Sequence, residues 1–450
     1  MSKFQVTLIV GDLALALTAL SAAFILRFGE TLTFSGHHQP VQMLAFTISI
    51  IFSSFFVEMY NQLELDSKNL LMRVIFSLTL AFFLLSALYY IFPSTMYGRG
   101  VLFMAIPMFG ALQIGWHMAM RRIEIFPGLA KRVLIIGTGP LARQMGLLIN
   151  AHQQQYVLAG YYDLECESVE VPKQKIVPNG HGLLKAVQQQ HAQKVVVSLS
   201  QRRGVFPLQE ILHCKVSGVE VVDAPTFYEQ VTGKLLLENI TPSWFIFSNG
   251  FRNNDLTRIA KRMLDVAAAG LGLVLVAPFI PLIALLIKLD STGPVFFRQT
   301  RVGQGEREYT LIKFRSMRQD AENKTGAIWA ERNDPRITKL GRFLRKTRID
   351  EIPQLFNVLQ GDMSLVGPRP ERPEFVAKLK EAIPYYSERH YVKPGVTGWA
   401  QVCYPYGASV QDAIEKLRYD LYYEKNMSIL FDIRIILRTI GVILFREGSR

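Results

Sequence analysis

From Lys346 to Glu374 the chain reads Lys-Thr-Arg-Ile-Asp-Glu-Ile-Pro-Gln-Leu-Phe-Asn-Val-Leu-Gln-Gly-Asp-Met-Ser-Leu-Val-Gly-Pro-Arg-Pro-Glu-Arg-Pro-Glu. Two adjacent carboxylates, Asp350 and Glu351, follow a cationic run of Arg342, Arg345, Lys346 and Arg348 and precede a stiff Gly-Pro-Arg-Pro turn that carries Arg369. Successive helical residues point about 100° apart, so the pair cannot bracket one bond as a facing acid and base. The two can divide labour. One carboxylate attacks phosphorus while the other holds a hard cation, because Mg²⁺ takes one or two carboxylates plus a substrate's phosphate oxygens. Arg369, fixed between prolines, offers a preorganised fork for phosphoryl oxygens. In isolation an Asp-Glu pair reads as an N-cap followed by a solvent-facing acid. The cations on both sides favour phosphate chemistry.

The element that must position the pair follows directly. Ile352, Leu355, Phe356 and Leu359 recur at i, i+3, i+4 and i+7, which predicts a short amphipathic helix with Pro353 in its first turn and Gly361 as its stop. Asp350 is then expected at the helix start, where free N–H groups and the helix dipole welcome an anion.

Half of the 450 residues are hydrophobic although 50 are Lys or Arg, a combination that points to a membrane. Apolar segments at 6–26, 41–57, 70–91 and 101–120 are each near the roughly 20 residues a spanning helix needs. The first is too long, and lacks the small-residue cleavage pattern, for a signal peptide. The loop from Gly29 to Pro40 has no Lys or Arg, whereas Lys68, Arg73, Arg121, Arg122, Lys131 and Arg132 flank the other ends. The positive-inside rule then places both ends of the bundle in the cytoplasm. Arg27 and Arg99 run against that orientation, and Asp12 reads as a packed or interfacial group.

Arg132-Val-Leu-Ile-Ile-Gly-Thr-Gly-Pro-Leu-Ala142 is a strand running into a Gly-x-Gly-x-x-Ala turn and a helix. A strand at 156–162 ends at Asp163, where a dinucleotide fold keeps its ribose-binding acid. Further strands at 194–199 and 219–222 complete a Rossmann-like α/β domain. Pro140 removes an N–H near the helix start, and Tyr309 with Lys313, the one Tyr-x-x-x-Lys spacing, lies in a strand outside the domain. A structural or regulatory role is therefore expected ahead of ligand binding. Cys166, Cys214 and Cys403 are scattered and odd in number, with neither disulfide nor zinc spacing.

Residues 251–450 hold 32 Lys and Arg against 22 Asp and Glu, which is +10 of the chain's +13. Such charge suits anionic headgroups and phosphates, and the apolar stretches beside it favour membrane over nucleic acid. The stretch 261–288 is long enough to span, but Pro278 and Pro281 interrupt it and both flanks are basic. A kinked helix that enters and leaves one leaflet fits this pattern better than a fifth span.

Together with that kinked helix, Gly293-Pro-Val-Phe-Phe-Arg-Gln, Lys313-Phe-Arg-Ser-Met, Arg348-Ile-Asp-Glu-Ile-Pro-Gln, Ser364-Leu-Val-Gly-Pro-Arg-Pro-Glu and Lys393-Pro-Gly-Val-Thr-Gly-Trp-Ala-Gln resemble the bacterial sugar transferase family, the monotopic polyprenyl-phosphate hexose-1-phosphate transferases. The resemblance covers about residues 256–450. With the amino-terminal half it is similar to the long form that initiates exopolysaccharide, capsule or O-antigen synthesis. It implies a bacterial inner-membrane protein with a four-helix transmembrane bundle (1–122), a Rossmann-like domain (131–232), a linker (233–257) and a small α/β catalytic domain (258–450) on a re-entrant helix, its catalytic face cytoplasmic. It implies that Asp350 attacks the β-phosphate of a UDP-sugar, expelling UMP, and that undecaprenyl phosphate displaces the sugar-phosphoryl aspartate in a ping-pong route. Glu351 matches the Mg²⁺-holding acid, Arg369 the phosphate-binding arginine, Lys261 and Arg262 the basic pair that meets lipid headgroups, and Pro278 the helix break. A homodimer is the expectation from relatives of similar length, and no nucleic acid is implied.

After Gln401 many members continue with an Asn-Gly-Arg segment, whereas this chain reads Val-Cys-Tyr-Pro-Tyr-Gly. Arg348, two residues before the expected nucleophile, is a candidate for part of that arginine's role. The stretch 429–445 mixes Ile, Leu and Phe with Arg434 and Arg438, as in a helix lying among headgroups or packing on a core. Two other classes compete. A membrane-anchored nucleotide-sugar dehydratase or epimerase would need a complete cofactor loop and a Tyr/Lys pair, and a non-catalytic scaffold would leave Asp350, Glu351 and Arg369 without purpose.

Overall fold

The computed structural model describes residues 3–29, 39–57, 59–60, 67–123, 130–153, 155–164, 167–178, 182–199, 206–239, 250–251, 255–318, 334, 336–404, 407 and 409–445. The centre of the expected linker (240–249), Cys166, most of the first inter-helix loop, and Pro405 with Tyr406 lie outside them. The chain forms two compact units, 1–227 and 228–450.

The first unit opens with helices Lys3–Phe28, Gln39–Phe56, Ser67–Ile91 and Arg99–Ile123, matching the four apolar stretches. Three of these segments, Gln5–Phe28, Leu70–Ile91 and Arg99–Met120, are long and apolar enough to cross a membrane, while Pro40–Phe56 is shorter. Their shared core alternates small with large residues: Ala16, Ala19, Ala23, Ala81 and Ala105 pack with Phe46, Ile50, Leu85 and Phe109, so the helices approach closely. Phe83, Tyr90 and Phe103 point outward. Asp12 is a buried packed group, as expected. It accepts from Tyr60 Oη at 2.9 Å and Gln113 Nε2 at 2.7 Å, and lies 3.2 Å from His117 Nε2.

The middle part is a five-stranded parallel sheet in the order β3-β2-β1-β4-β5, with β1 at Lys131–Ile136, β2 at Tyr156–Tyr162, β3 at Ile176–Val177, β4 at Lys194–Val197 and β5 at Glu220–Asp223. This is the expected Rossmann-like arrangement, with the two-residue β3 as an added edge. Gly137 takes φ +111° where β1 turns into helix Pro140–Ala151, a conformation that favours glycine. Pro140 sits in the first helical turn, where its missing N–H is harmless. The amide of Gly139 donates to Glu167 Oε2 at 3.2 Å, and Thr138 Oγ1 donates to Asp163 Oδ1 at 3.2 Å. A carboxylate of the chain itself therefore stands where a dinucleotide's phosphate would approach the turn.

The second unit begins with helix Asp255–Val276, starting earlier than the 261 expected. A 3₁₀ turn at Ala277–Phe279 contains Pro278, and helix Ile280–Asp290 follows. Pro278 and Pro281 deny two amides to the helix ladder, which explains the break where the sequence placed it. Asp255–Asp290 is, by length and composition, also long and apolar enough to cross a membrane, and its apolar part is largely uncovered by the rest of the chain. Next, β6 (Phe296–Val302) pairs antiparallel with β7 (Glu308–Phe314), and β8 (Ser364–Val366) pairs parallel with β9 (Gly395–Thr397). Helices Lys339–Lys346, Gln354–Gln360, Pro373–Ala382, Trp399–Cys403 and Val410–Lys425 surround these short sheets.

Helix Ile429–Phe445 closes the unit. Its inner face is core: Ile435 and Asp432 are buried, and the Arg434 and Arg438 guanidinium groups stack over Trp399 at 5.8 and 5.2 Å. Leu430 is left exposed on the other side.

Candidate active site

Helix Lys339–Lys346 ends at Thr347, and Arg348 then takes φ +59°. That left-handed residue reverses the chain into a single 3₁₀ turn, Ile349–Glu351. Ile349 and Ile352 pack against Ile287, Phe314 and Leu344, and the intervening carboxylates are drawn inward. Asp350 is 6% and Glu351 7% exposed. The helix proper runs Gln354–Gln360 and ends at Gly361 with φ +95°. Asp350 thus precedes the helix instead of starting it, and its side chain makes no capping bond. A proline at 353 favours a fresh start after it, which divides the predicted helix in two. Glu351 is likewise no solvent-facing acid.

Three cations surround Glu351. Lys313 Nζ donates to Oε1 at 3.2 Å, Arg369 Nη2 to Oε1 at 2.9 Å, and Arg348 Nη1 to Oε2 at 3.4 Å. Burial by itself would raise the Glu351 pKa, but Lys313, Arg369 and Arg348 together hold the carboxyl far below the usual range. Asp350 behaves in the opposite sense. Burial, reinforced by the charge of Glu351, pushes it up, against Lys313, Arg345 and Arg369. Its Oδ1 is buried and has no hydrogen-bond partner among the described residues. One carboxylate is saturated with cations and its neighbour keeps an open oxygen.

The structure brings together four of the residues that the sequence singled out: Asp350, Glu351, Arg348 and Arg369. It adds Lys313, from β7, whose motif was recognised without a role. Burial pushes its ammonium pKa down, and Glu351 opposes the shift. The signal was there in part, since a lysine facing inward from a strand needs a partner, but a contact between residues 313 and 351 has no sequence periodicity. Asn357, buried in the helix after the carboxylates, accepts from the Ile312 amide at 3.1 Å and donates to the Thr310 carbonyl at 2.8 Å. It fastens that helix to β7 and so fixes Lys313 relative to Glu351.

Lys261, Arg262 and Pro278 lie elsewhere. Lys261 Nζ pairs with buried Asp432 at 2.6 Å and donates to the Val366 carbonyl and Tyr423 Oη, each at 3.1 Å. Arg262 donates to the Val358 and Leu359 carbonyls at 2.6 and 2.8 Å, capping the helix that follows the carboxylates. Both side chains bind the long apolar helix to the rest of the unit.

No group of three or more His, Cys, Asp or Glu side chains gathers among the described residues. Asp350 and Glu351 offer two hard oxygen ligands, one with an orphaned buried oxygen. That donor set fits Mg²⁺, which fills its shell with water and substrate phosphate.

The family model "Bacterial sugar transferase" matches residues 256–446. The chain is 40% identical over 240 residues to a UDP-N-acetylgalactosamine-undecaprenyl-phosphate N-acetylgalactosaminephosphotransferase of Aeromonas hydrophila, covering 53% of this chain and 56% of that protein. It is 37% identical over 329 residues to an undecaprenyl-phosphate glucose phosphotransferase of Komagataeibacter xylinus, covering 71% and 60%. These matches span little more than half of those two relatives, and the second is too long to fit within 256–446, so it reaches into the middle of the chain. An exopolysaccharide production protein of Rhizobium leguminosarum bv. phaseoli is 44% identical over 187 residues, 40% of this chain and 94% of that protein. A nearly complete match to so short a relative, together with a family model that covers the acidic pair and its cations, places this chain in the bacterial sugar transferase family.

Proposed function

We propose that the protein is a phosphoglycosyl transferase that moves hexose-1-phosphate from a UDP-sugar to undecaprenyl phosphate, with release of UMP, as the first membrane step of exopolysaccharide, capsule or O-antigen synthesis. The observation that carries this reading is the asymmetry of the two carboxylates: a buried Asp350 with an open oxygen beside a Glu351 held by three cations. The names of the relatives supply the substrate classes.

In the first step an Asp350 carboxylate oxygen attacks the β-phosphorus, the bond from that phosphorus to the bridging oxygen breaks, and UMP leaves with the bridging oxygen. In the second, a phosphate oxygen of undecaprenyl phosphate attacks the same phosphorus and the Asp350 carboxylate departs. Each step is an in-line displacement in which the covalent link divides one difficult transfer into two. Lys313, Arg348 and Arg369 supply fixed positive charge for the phosphoryl oxygens, an electrostatic contribution that needs no reorganisation during reaction. Glu351 would hold Mg²⁺, whose charge offsets that of the donor diphosphate. In this reading the broken apolar helix 255–290 dips into one leaflet and returns, keeping the site at the cytoplasmic surface, where a lipid phosphate and a soluble nucleotide sugar can both reach it.

The test is UMP release from a panel of UDP-sugars by purified protein in nanodiscs with Mg²⁺ and undecaprenyl phosphate, compared with Asp350→Asn. Release from one donor, absent in a folded Asp350→Asn variant, is expected; equal release by the variant overturns the aspartyl route. Binding of Mn²⁺ as a spectroscopic substitute, read by electron paramagnetic resonance, should weaken in Glu351→Gln, and unchanged binding would remove Glu351 as the metal ligand. If no UDP-sugar yields UMP, the scaffold reading takes its place.

A further inference from the structure

The Pro368-Arg369-Pro370 turn has an unusual attachment problem. Its two prolines have no N–H, so the turn is anchored mainly through carbonyls. Pro368 O accepts from the Gly395 amide at 2.9 Å, Pro370 O from Arg301 Nη1 at 3.1 Å, and Glu371 O from the Val302 amide at 3.0 Å. The carbonyl of Arg369 itself is taken by Arg389, whose Nη2 donates to it at 3.0 Å. Arg389 is almost fully buried. Its Nη1 donates to Tyr386 Oη at 2.6 Å, its guanidinium lies 5.1 Å from the Tyr386 ring centre, and its Nη2 forms a 2.8 Å ion pair with Asp420 from helix Val410–Lys425.

Burying such a pair is costly, and apolar residues of similar size often serve stability as well or better. An apolar side chain, however, could not hold the Arg369 carbonyl. The guanidinium fork reaches what a single ammonium does not: Nη1 donates to the tyrosine oxygen while Nη2 donates to the carbonyl and lies 2.8 Å from the carboxylate. Arg369 in turn donates to Glu351, so an unbroken chain of polar contacts leads from Asp420 to the acidic pair.

We infer that Arg389, clamped by Asp420 and Tyr386, is a positioning residue that fixes the backbone of Arg369 so that its guanidinium meets Glu351 and the donor's phosphate; this rests on the transferase reading. Arg389 touches no reacting atom and acts through Arg369.

The experiment is a double-mutant cycle on UDP affinity, measured by isothermal titration calorimetry with the full-length protein in detergent and Mg²⁺, with UMP release followed in parallel. Arg389→Lys should weaken UDP binding about tenfold, with an unfolding midpoint close to that of the unaltered protein. Arg369→Ala should weaken it by at least as much, and the double variant should be no worse than Arg369→Ala alone, because residues acting as one unit are non-additive. Asp420→Asn, a milder change, should move affinity in the same direction and provides the cycle if Arg389→Lys does not fold. Losses that multiply in the double variant, or an affinity unchanged in both Arg389→Lys and Asp420→Asn, overturn the proposal. If the unaltered protein releases no UMP and binds no UDP, the transferase reading itself fails, and this inference falls with it.

Discussion

Glu424 gives the sharpest quantitative test of the carboxy-terminal unit. It is buried in helix Val410–Lys425, and its Oε2 has no hydrogen-bond partner among the described residues. Burial first, then the charges of Glu388 and Asp420, push its carboxyl from 4.5 up to about 8. The folded state therefore keeps a proton that the unfolded chain releases. Stability is fully present below about pH 4.5 and is lost progressively as pH rises towards 8. At about 1.4 kcal/mol per pKa unit, the total loss is on the order of 4–5 kcal/mol. Glu424→Gln keeps the shape and the neutral state at every pH. Calorimetric unfolding in detergent between pH 5.5 and 8.5 should show a falling midpoint for the unaltered protein relative to the variant. At roughly 2–4 °C per kcal/mol for a unit of this size, the gap should widen by about 10 °C. Asp350 and Asp432 are also pushed up, but they are common to both proteins and cancel in the difference, while the charge of Asp420 is part of the Glu424 shift itself. Midpoints that stay parallel across the range would refute the claim that Glu424 is held protonated.

Lys313→Met removes one donor from Glu351, and a charge-assisted hydrogen bond of about 1.5–3 kcal/mol converts to roughly a 10- to 100-fold loss in kcat/KM for UMP release, with Lys313→Arg recovering part of it; full activity in Lys313→Met would exclude the lysine from the site. Asn357→Leu orphans the Ile312 amide and the Thr310 carbonyl at once and should cost about 2–4 kcal/mol, read as a lower unfolding midpoint together with weaker UDP binding. Because Glu167 already occupies the Gly139 amide, the protein should neither copurify with nor be titrated by NAD(H) or NADP(H), and recovery of either cofactor from the purified protein would contradict this.

Much of the fold was legible because it is written in local periodicity. Four apolar runs became four helices, the Gly137-Thr-Gly139 turn sat at the end of a parallel strand, and Pro278 broke its helix. The site was legible only along the chain. Asp350, Glu351 and Arg348 are neighbours in sequence, and Arg369 is held by two prolines. Lys313, Asn357 and Arg389 enter through tertiary contacts that no spacing encodes. Basic residues were the hardest to place. The resemblance implies headgroup contact for Lys261 and Arg262, and the sequence leaves Arg434 and Arg438 open between headgroups and core; within the chain these four side chains meet Asp432, two helix carbonyls and the face of Trp399. A guanidinium satisfies carbonyls, carboxylates or aromatic faces equally well, so its charge alone does not say which way it turns.

Adjacency makes the acidic pair work as two different groups. Asp350 and Glu351 are almost equally buried, so burial alone would push both carboxyls up and does not distinguish them. Here the 3₁₀ turn aims one at β7 and the Pro-Arg-Pro turn, where three cations keep it charged, and leaves the other with burial as its dominant influence. The charge retained on Glu351 then acts on Asp350 and, with burial, raises its affinity for a proton. Lys313 and Arg369 act on both carboxylates. Those two cations therefore couple the state of one carboxylate to that of the other. In the proposed mechanism Asp350 is therefore tuned without a hydrogen-bond partner at its Oδ1: its neighbour's charge and the cations they share set its state.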